Sequence, residues 1–254
     1  MISWEIPALD ETLGGIKEHS LILIHERDPR SRGKEILYYI MRRKLEKGNL
    51  VGYFNISYPI HLLIIVLEKL GIPTKRYLEG QTLAIVDTFG SFYDISMPSR
   101  GIWYLSGSLS SDVLPNKYAE VVEAHKKKWA ELNLFEGRKL FGFAIDISSY
   151  LELLGGEKET LKYLELSAEI RSKSRAYRKY PTGTNFWLWS GDRGKNVLAS
   201  TYRRADYVLR TSSEIKNGEI VRRLEIIKSR VPQNEILTFR YHFENGVPIL
   251  DAED

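Results

Sequence analysis

At 254 residues, with 43% hydrophobic, 28% charged and 11% aromatic side chains, the chain has the balance of a globular protein and not of a disordered or fibrous one. Its 37 basic and 33 acidic residues leave a formal charge of +4, an excess that permits nucleic acid as a partner without favouring it. Cysteine is absent, which excludes disulfides, thiolate metal sites and cysteine nucleophiles. The longest apolar run, residues 62–67, falls far below the roughly 18 residues of a membrane helix. The opening MISWEIPALDE has no basic leader before an apolar stretch, so a cytoplasmic location without membrane contact is expected. Glutamine occurs only at positions 81 and 233 while Lys and Glu are abundant, as in the ion-pair networks of thermophilic proteins.

In chain order, residues 21–25 (LILIH) read as a strand, and residues 33–47 carry helical periodicity through Ile36, Leu37, Ile40, Met41 and Leu45. Residues 50–56 form a second strand. Pro59 opens a helix whose buried face is Leu62, Leu63, Val66, Leu67 and Leu70, stopped by Gly71 and Pro73. A third strand follows at 83–87, then a helix at 116–132, a buried strand at 140–146 (LFGFAID) and a long amphipathic helix at 157–177. Strand candidates at 185–189, 207–210, 220–228 and 236–243 are joined by turn signals including Asn217-Gly218 and Asn245-Gly246. The pattern predicts one α/β domain over residues 1–254, a mostly parallel twisted sheet flanked by helices and finished by an antiparallel hairpin extension.

The turn after the first strand, Asp28-Pro29-Arg30-Ser31-Arg32-Gly33-Lys34-Glu35, stands where a phosphate loop would. That loop, G-x-x-x-x-G-K-[ST], uses glycine for close wrapping, lysine for the outer phosphates and a hydroxyl for magnesium. Only Gly33 and Lys34 fit. Asp28 replaces the first glycine with a charge of the wrong sign, and Glu35 replaces the hydroxyl.

Together with Leu9-Asp10-Glu11-Thr12-Leu13-Gly14-Gly15 ahead of the strand, this order resembles the KaiC-like branch of the RecA-type P-loop ATPases. Strand 140–146 is similar to the Walker B strand, Thr182-Gly183-Thr184 leads into a further strand, and 205–209 resembles the one after it. Residues 219–229 with Arg230 look like the closing strand and its Lys-x-Arg pair. The resemblance implies a RecA-like three-layer fold and assembly into an oligomer. It also implies a nucleotide site at Gly33, Lys34 and Asp146, with Lys228 and Arg230 reaching a neighbour's nucleotide.

Here that site is expected to be vestigial. Where the family places paired glutamates after the second strand the chain has Ser57 and Tyr58, and neither replaces a carboxylate in orienting water. Loss of several positioning and charge-stabilising groups together removes most of the acceleration of phosphoryl transfer. No cofactor is expected, although ATP or another anion could still bind weakly at the helix start near Gly33, among Arg27, Arg30, Arg32 and Lys34. Asp146 has an alternative role as a cap for the turn that contains Ser148 and Ser149.

Residues 88–115 form a long aromatic stretch, read as a hairpin or flap. Its Phe89, Phe92, Tyr93, Trp103 and Tyr104 are candidates for accepting an extended peptide, or for simple internal packing. Arg171, Lys173, Arg175, Arg178 and Lys179, with Tyr177 and Tyr180, could meet single-stranded nucleic acid, but a basic helix end is favoured without any ligand. The five histidines are scattered with no metal-binding spacing, so no metal site is expected. The expected function is a non-hydrolysing, oligomeric module that binds a protein or peptide. The alternatives are a divergent ATPase whose metal is held by Glu35 or Asp146, and a nucleic-acid-binding accessory factor.

Overall fold

The computed structural model describes residues 1–232 and 235–253. Its strands and helices alternate from the start: α1 (Pro7–Leu13), β1 (Leu21–Glu26), α2 (Gly33–Glu46), β2 (Leu50–Asn55), α3 (Ile60–Lys69), α4 (Thr74–Glu79) and β3 (Leu83–Asp87). There follow α5 (Thr88–Tyr93), β4 (Ile102–Tyr104), α6 (Leu114–Glu131), β5 (Leu140–Ile145), α7 (Tyr150–Leu153), α8 (Glu157–Lys173) and α9 (Arg175–Arg178). The chain closes with β6 (Thr184–Ser190), α10 (Lys195–Arg204), β7 (Tyr207–Lys216), β8 (Glu219–Lys228), β9 (Leu237–Glu244) and β10 (Val247–Glu253).

All ten strands form one sheet in the order β10-β9-β8-β7-β1-β6-β5-β2-β3-β4. From β7 to β4 neighbouring strands are parallel, and β7 to β10 form an antiparallel meander. The fold is therefore the expected α/β RecA-like arrangement. Because side chains alternate across a strand, the central strands feed two cores. Ile22, Ile24, Tyr53, Phe143, Phe186 and Leu188 face one way and bury Leu9, Leu37, Met41 and Leu63 of α1, α2 and α3. Leu23, Phe54, Ala144, Trp187 and Trp189 face the other, toward Tyr118 of α6, Tyr163 and Leu164 of α8, and Val197 of α10.

Asn217-Gly218 and Asn245-Gly246 make the two tight hairpins, with φ of 51° and 83°, and of 49° and 77°, the paired positive values of a type I′ turn. Differences from the sequence pattern lie in short or interrupted elements. Helix 157–177 is broken at Ser174, whose extended backbone (φ −74°, ψ 151°) divides α8 from α9. Residues 88–115 do not form a hairpin, because β4 pairs in parallel with β3 and α5 connects them. β10 contains Pro248, which its place at the sheet edge tolerates. Among the described residues no helix is long and apolar enough to cross a membrane.

Candidate functional site

β1 ends in Glu26, and α2 begins after Arg32, whose left-handed backbone (φ 57°) turns the chain into the helix. The buried carboxylate of Glu26 reaches the start of α2 and accepts the backbone N–H of Lys34 at 3.0 Å. A carboxylate thus lies on the positive end of the helix dipole, where an external anion would otherwise bind. Burial raises the Glu26 pKa, opposed by the Lys34 N–H and the Lys34 charge.

The rest of the loop is held down on the antiparallel meander. Asp28 accepts the backbone N–H and the hydroxyl of Ser213 at 2.8 and 2.6 Å, and caps the single turn at Pro29–Ser31 through the Arg30 N–H. Ser31 Oγ bonds Asp28 O at 2.7 Å and lies 3.1 Å from Thr211 Oγ1, Arg222 Nε donates to Arg30 O at 2.8 Å, and the Tyr241 hydroxyl donates to Ser31 O. Gly33 has a packing reason of its own: a Cβ there would sit 2.3 Å from Thr211 Oγ1. Glu35 accepts Arg32 Nε at 2.6 Å, and the Arg32 guanidinium lies over the Phe243 ring.

Lys34 and Asp146 do meet. The ammonium is 3.4 Å from Asp146 Oδ2 and 3.5 Å from the Tyr58 hydroxyl. Burial works against the Lys34 charge, but Asp146, Tyr58 and Glu26 outweigh it and raise the pKa. The Asp146 carboxylate also accepts Ser57 Oγ at 3.3 Å and Ser190 Oγ, and its side chain does not cap the following turn. Gly33, Lys34, Asp146, Ser57 and Tyr58 therefore gather at the C-terminal edge of the parallel strands.

Lys228 and Arg230 lie at the other edge, the length of β1 away, roughly 16 Å. The Lys228 ammonium caps α10, donating to Ala205 O at 2.5 Å and Arg203 O at 3.2 Å. Arg230 bonds Asp206, which in turn accepts the N–H of Leu21 at the beginning of β1.

Of the aromatic candidates, Phe89 packs against Tyr93 with the rings tilted and their centroids 4.6 Å apart, and Phe92 packs against the second core. Trp103 adjoins Leu50, Ala84 and Trp129, and the Tyr104 hydroxyl bonds the Met97 backbone. Tyr93 is the exposed member of the five. β4 ends the sheet, so one of its sides has no neighbouring strand.

A cavity of about 390 Å³ opens elsewhere, between the sheet and α6, α8 and α9. Phe54, Trp187 and Trp189 line it from the sheet, and Tyr118, Tyr163 and Tyr177 from the helices. It exists because both walls lose bulk. On the sheet side Gly142 and Ala144 occupy one face of β5, and a Cβ at Gly142 would come 2.4 Å from Asn185 Oδ1. On the helix side α8 lines it with Thr160, Tyr163 and Leu164 and then with Ser167, Ile170 and Arg171 and, at the rim, Ala168, of which Ser167 and Ala168 are too small to fill the space.

A hydrogen-bonded chain of hydroxyls runs along the wall, from Thr88 through Tyr118 and Tyr150 to Tyr163. Burial pushes the Tyr163 phenol up to about 12, so the chain is neutral at ordinary pH. The indole N–H of fully buried Trp189 has no partner among the described residues. Two cations flank the Tyr177 ring: Lys126 Nζ at 4.7 Å from its centroid and the Arg171 guanidinium at 5.5 Å. Lys126 is buried, donates to the carbonyls of Ala176 and Pro181 at 2.9 Å, and has its pKa lowered to about 8 by burial and by Arg171. Lys173 and Arg175 are paired with Glu169 and Glu123. Among the described residues no cluster of three His, Asp or Glu side chains could hold a metal ion.

No protein-family model and no curated protein matches the chain. Solved structures do. An uncharacterized protein, PH0321 from Pyrococcus horikoshii, crystallised in complex with an unknown peptide, is 55% identical over the full length of both chains with a TM-score of 0.95. The KaiC-like protein PH0186 from the same archaeon is 16% identical with a TM-score of 0.71, covering 98% of each chain. The flagellar accessory protein FlaH from Methanocaldococcus jannaschii is 14% identical with a TM-score of 0.59, over 97% of this chain and 95% of its own. At those lower identities the likeness concerns the RecA-type fold.

Proposed function

We propose that this chain, which belongs to the same family as the Pyrococcus horikoshii protein PH0321, is a non-hydrolysing RecA-type protein that binds a peptide in the cavity between the sheet and α8. The cavity carries the reading. Its volume is within the usual range of ligand sites, and its largely aromatic walls carry a limited set of polar groups, among them Ser167, Arg171 and Asn185. The peptide bound to PH0321 supports the same ligand class here. The five aromatic residues of the 88–115 stretch recede as candidates, since four of them are at least partly enclosed by the fold.

The nucleotide site is proposed to be vestigial because the chain's own groups occupy the positions that phosphate binding would use. Glu26 takes the helix N-terminus, Asp28 binds Ser213, and Glu35 turns to Arg32. Calorimetry with ATP and magnesium should show neither binding heat nor turnover. Turnover that is lost in Lys34→Ala or Asp146→Ala would instead establish the divergent-ATPase reading, which the Lys34–Asp146 pair favours.

Ala168 is exposed on α8 at the rim of the cavity, so Ala168→Trp should place an indole in the opening at a helix-propensity cost below about 1 kcal/mol. Binding of fluorescent short peptides, measured by polarisation, is expected to weaken at least tenfold, about 1.4 kcal/mol. Unchanged affinity in a folded variant would place the peptide site elsewhere.

A further inference from the structure

Resting on the peptide reading above, we infer that the Tyr177 end of the cavity recognises the C-terminal carboxylate of its peptide, with Arg171 as the direct partner and an apolar last side chain lodged among the aromatic walls. The charge inventory points there. Lys126 and Arg171 stand on the same ring, and neither has a carboxylate within 4.0 Å among the described residues.

The acids nearest in sequence are engaged by other cations, Glu169 by Lys173, Glu123 by Arg175 and Glu165 by Arg204. Lys126 is not itself a wall residue, and its buried ammonium reaches only carbonyl oxygens, so its charge adds to the positive field that an anion beside Arg171 would meet. Arg171 can offer a carboxylate two parallel N–H donors at the cavity wall, the geometry in which guanidinium outperforms ammonium.

The wall holds a second guanidinium, Arg204, but it is paired with Glu165, which leaves Arg171 as the wall cation without a carboxylate among the described residues. A chain end suits the space better than a peptide passing through. At about 390 Å³ the cavity holds one or two large side chains, and a C-terminal residue presents an apolar group and a carboxylate on one Cα.

The test compares one set of short peptides with apolar last residues in three forms: free acid, C-terminal amide, and amide with a final aspartate. Binding is measured to the full chain and to its Arg171→Met and Arg171→Lys variants. The free acid should bind the unaltered protein about 10- to 100-fold more tightly than the amide. Arg171→Met should bring the ratio close to one, and Arg171→Lys should keep part of it.

Equal affinity of acid and amide for the unaltered protein would overturn the carboxylate assignment while leaving peptide binding in the cavity intact. Rescue of the amide by a final aspartate to the level of the free acid would overturn the choice of the chain terminus. Binding of none of the three forms would remove the peptide reading itself, and this inference with it.

Discussion

Replacing Glu26 by alanine is expected to destabilise the ligand-free protein by about 1–3 kcal/mol, and inorganic phosphate or sulfate is expected to restore most of that loss. The backbone N–H of Lys34 at the start of α2 bonds the Glu26 carboxylate, and truncation leaves that donor and the Lys34 ammonium facing a buried gap. The gap keeps the positive helix end and the lysine, a combination that favours a tetrahedral anion. Thermal melting in increasing phosphate should therefore shift upward for Glu26→Ala and stay flat for the unaltered chain. An equal rise in the unaltered chain would mean that Glu26 yields its place to phosphate, and the proposal of a closed site would fail.

The same residue shows what a sequence can and cannot disclose. The Gly33-Lys34 pair, the charge at Asp28 and the loss of acids at Ser57 and Tyr58 are all visible in order along the chain, and the structure gathers Lys34, Asp146, Ser57 and Tyr58 within hydrogen-bonding reach. Glu26 carries no such signal, being the last residue of an apolar strand, and only the turn through Arg32 brings α2 back over it. Lys228 and Arg230 were recognisable as a pair, but their partners, the end of α10 and Asp206, depend on which edge of the sheet that strand end reaches.

The cavity leaves a fainter trace in the sequence. Its signal is missing bulk in two segments far apart in sequence, Gly142 with Ala144 and Ser167 with Ala168, which become facing walls only after the sheet and α8 pack. A stripe that keeps its 3.6-residue spacing while its members shrink from Tyr163 and Leu164 to Ser167 and Ala168 was the legible half of that signal. The break at Ser174 was not legible, because Ser is acceptable within a helix and the redirection rests on tertiary contacts such as Lys126 to Ala176 and Pro181.

A second large effect is expected on acidification, and it centres on His125. This residue is 4% exposed, stands 4.8 Å from Trp129 and 6.3 Å from Trp103 between ring centroids, and its Nδ1 has no partner among the described residues. Burial, with a smaller contribution from the neighbouring Lys126 charge, depresses its pKa from 6.5 to about 3. Between those values the unfolded chain binds a proton that the folded chain refuses, so stability is retained above pH 6.5 and falls as the pH drops toward 3. The full span corresponds to a loss on the order of 5 kcal/mol, a large part of the stability of an ordinary domain. Between pH 7 and pH 4.5 the share is about 2–3 kcal/mol. His125→Phe keeps an aromatic ring against both tryptophans and removes the titrating group without creating an unpaired donor or acceptor. Urea unfolding at the two pH values should show the acid loss reduced by about that amount in the variant. An identical loss in both proteins would assign acid sensitivity to ion-paired carboxylates such as Glu5 and Glu225, whose pKa values are lowered by their cations, instead of to the imidazole.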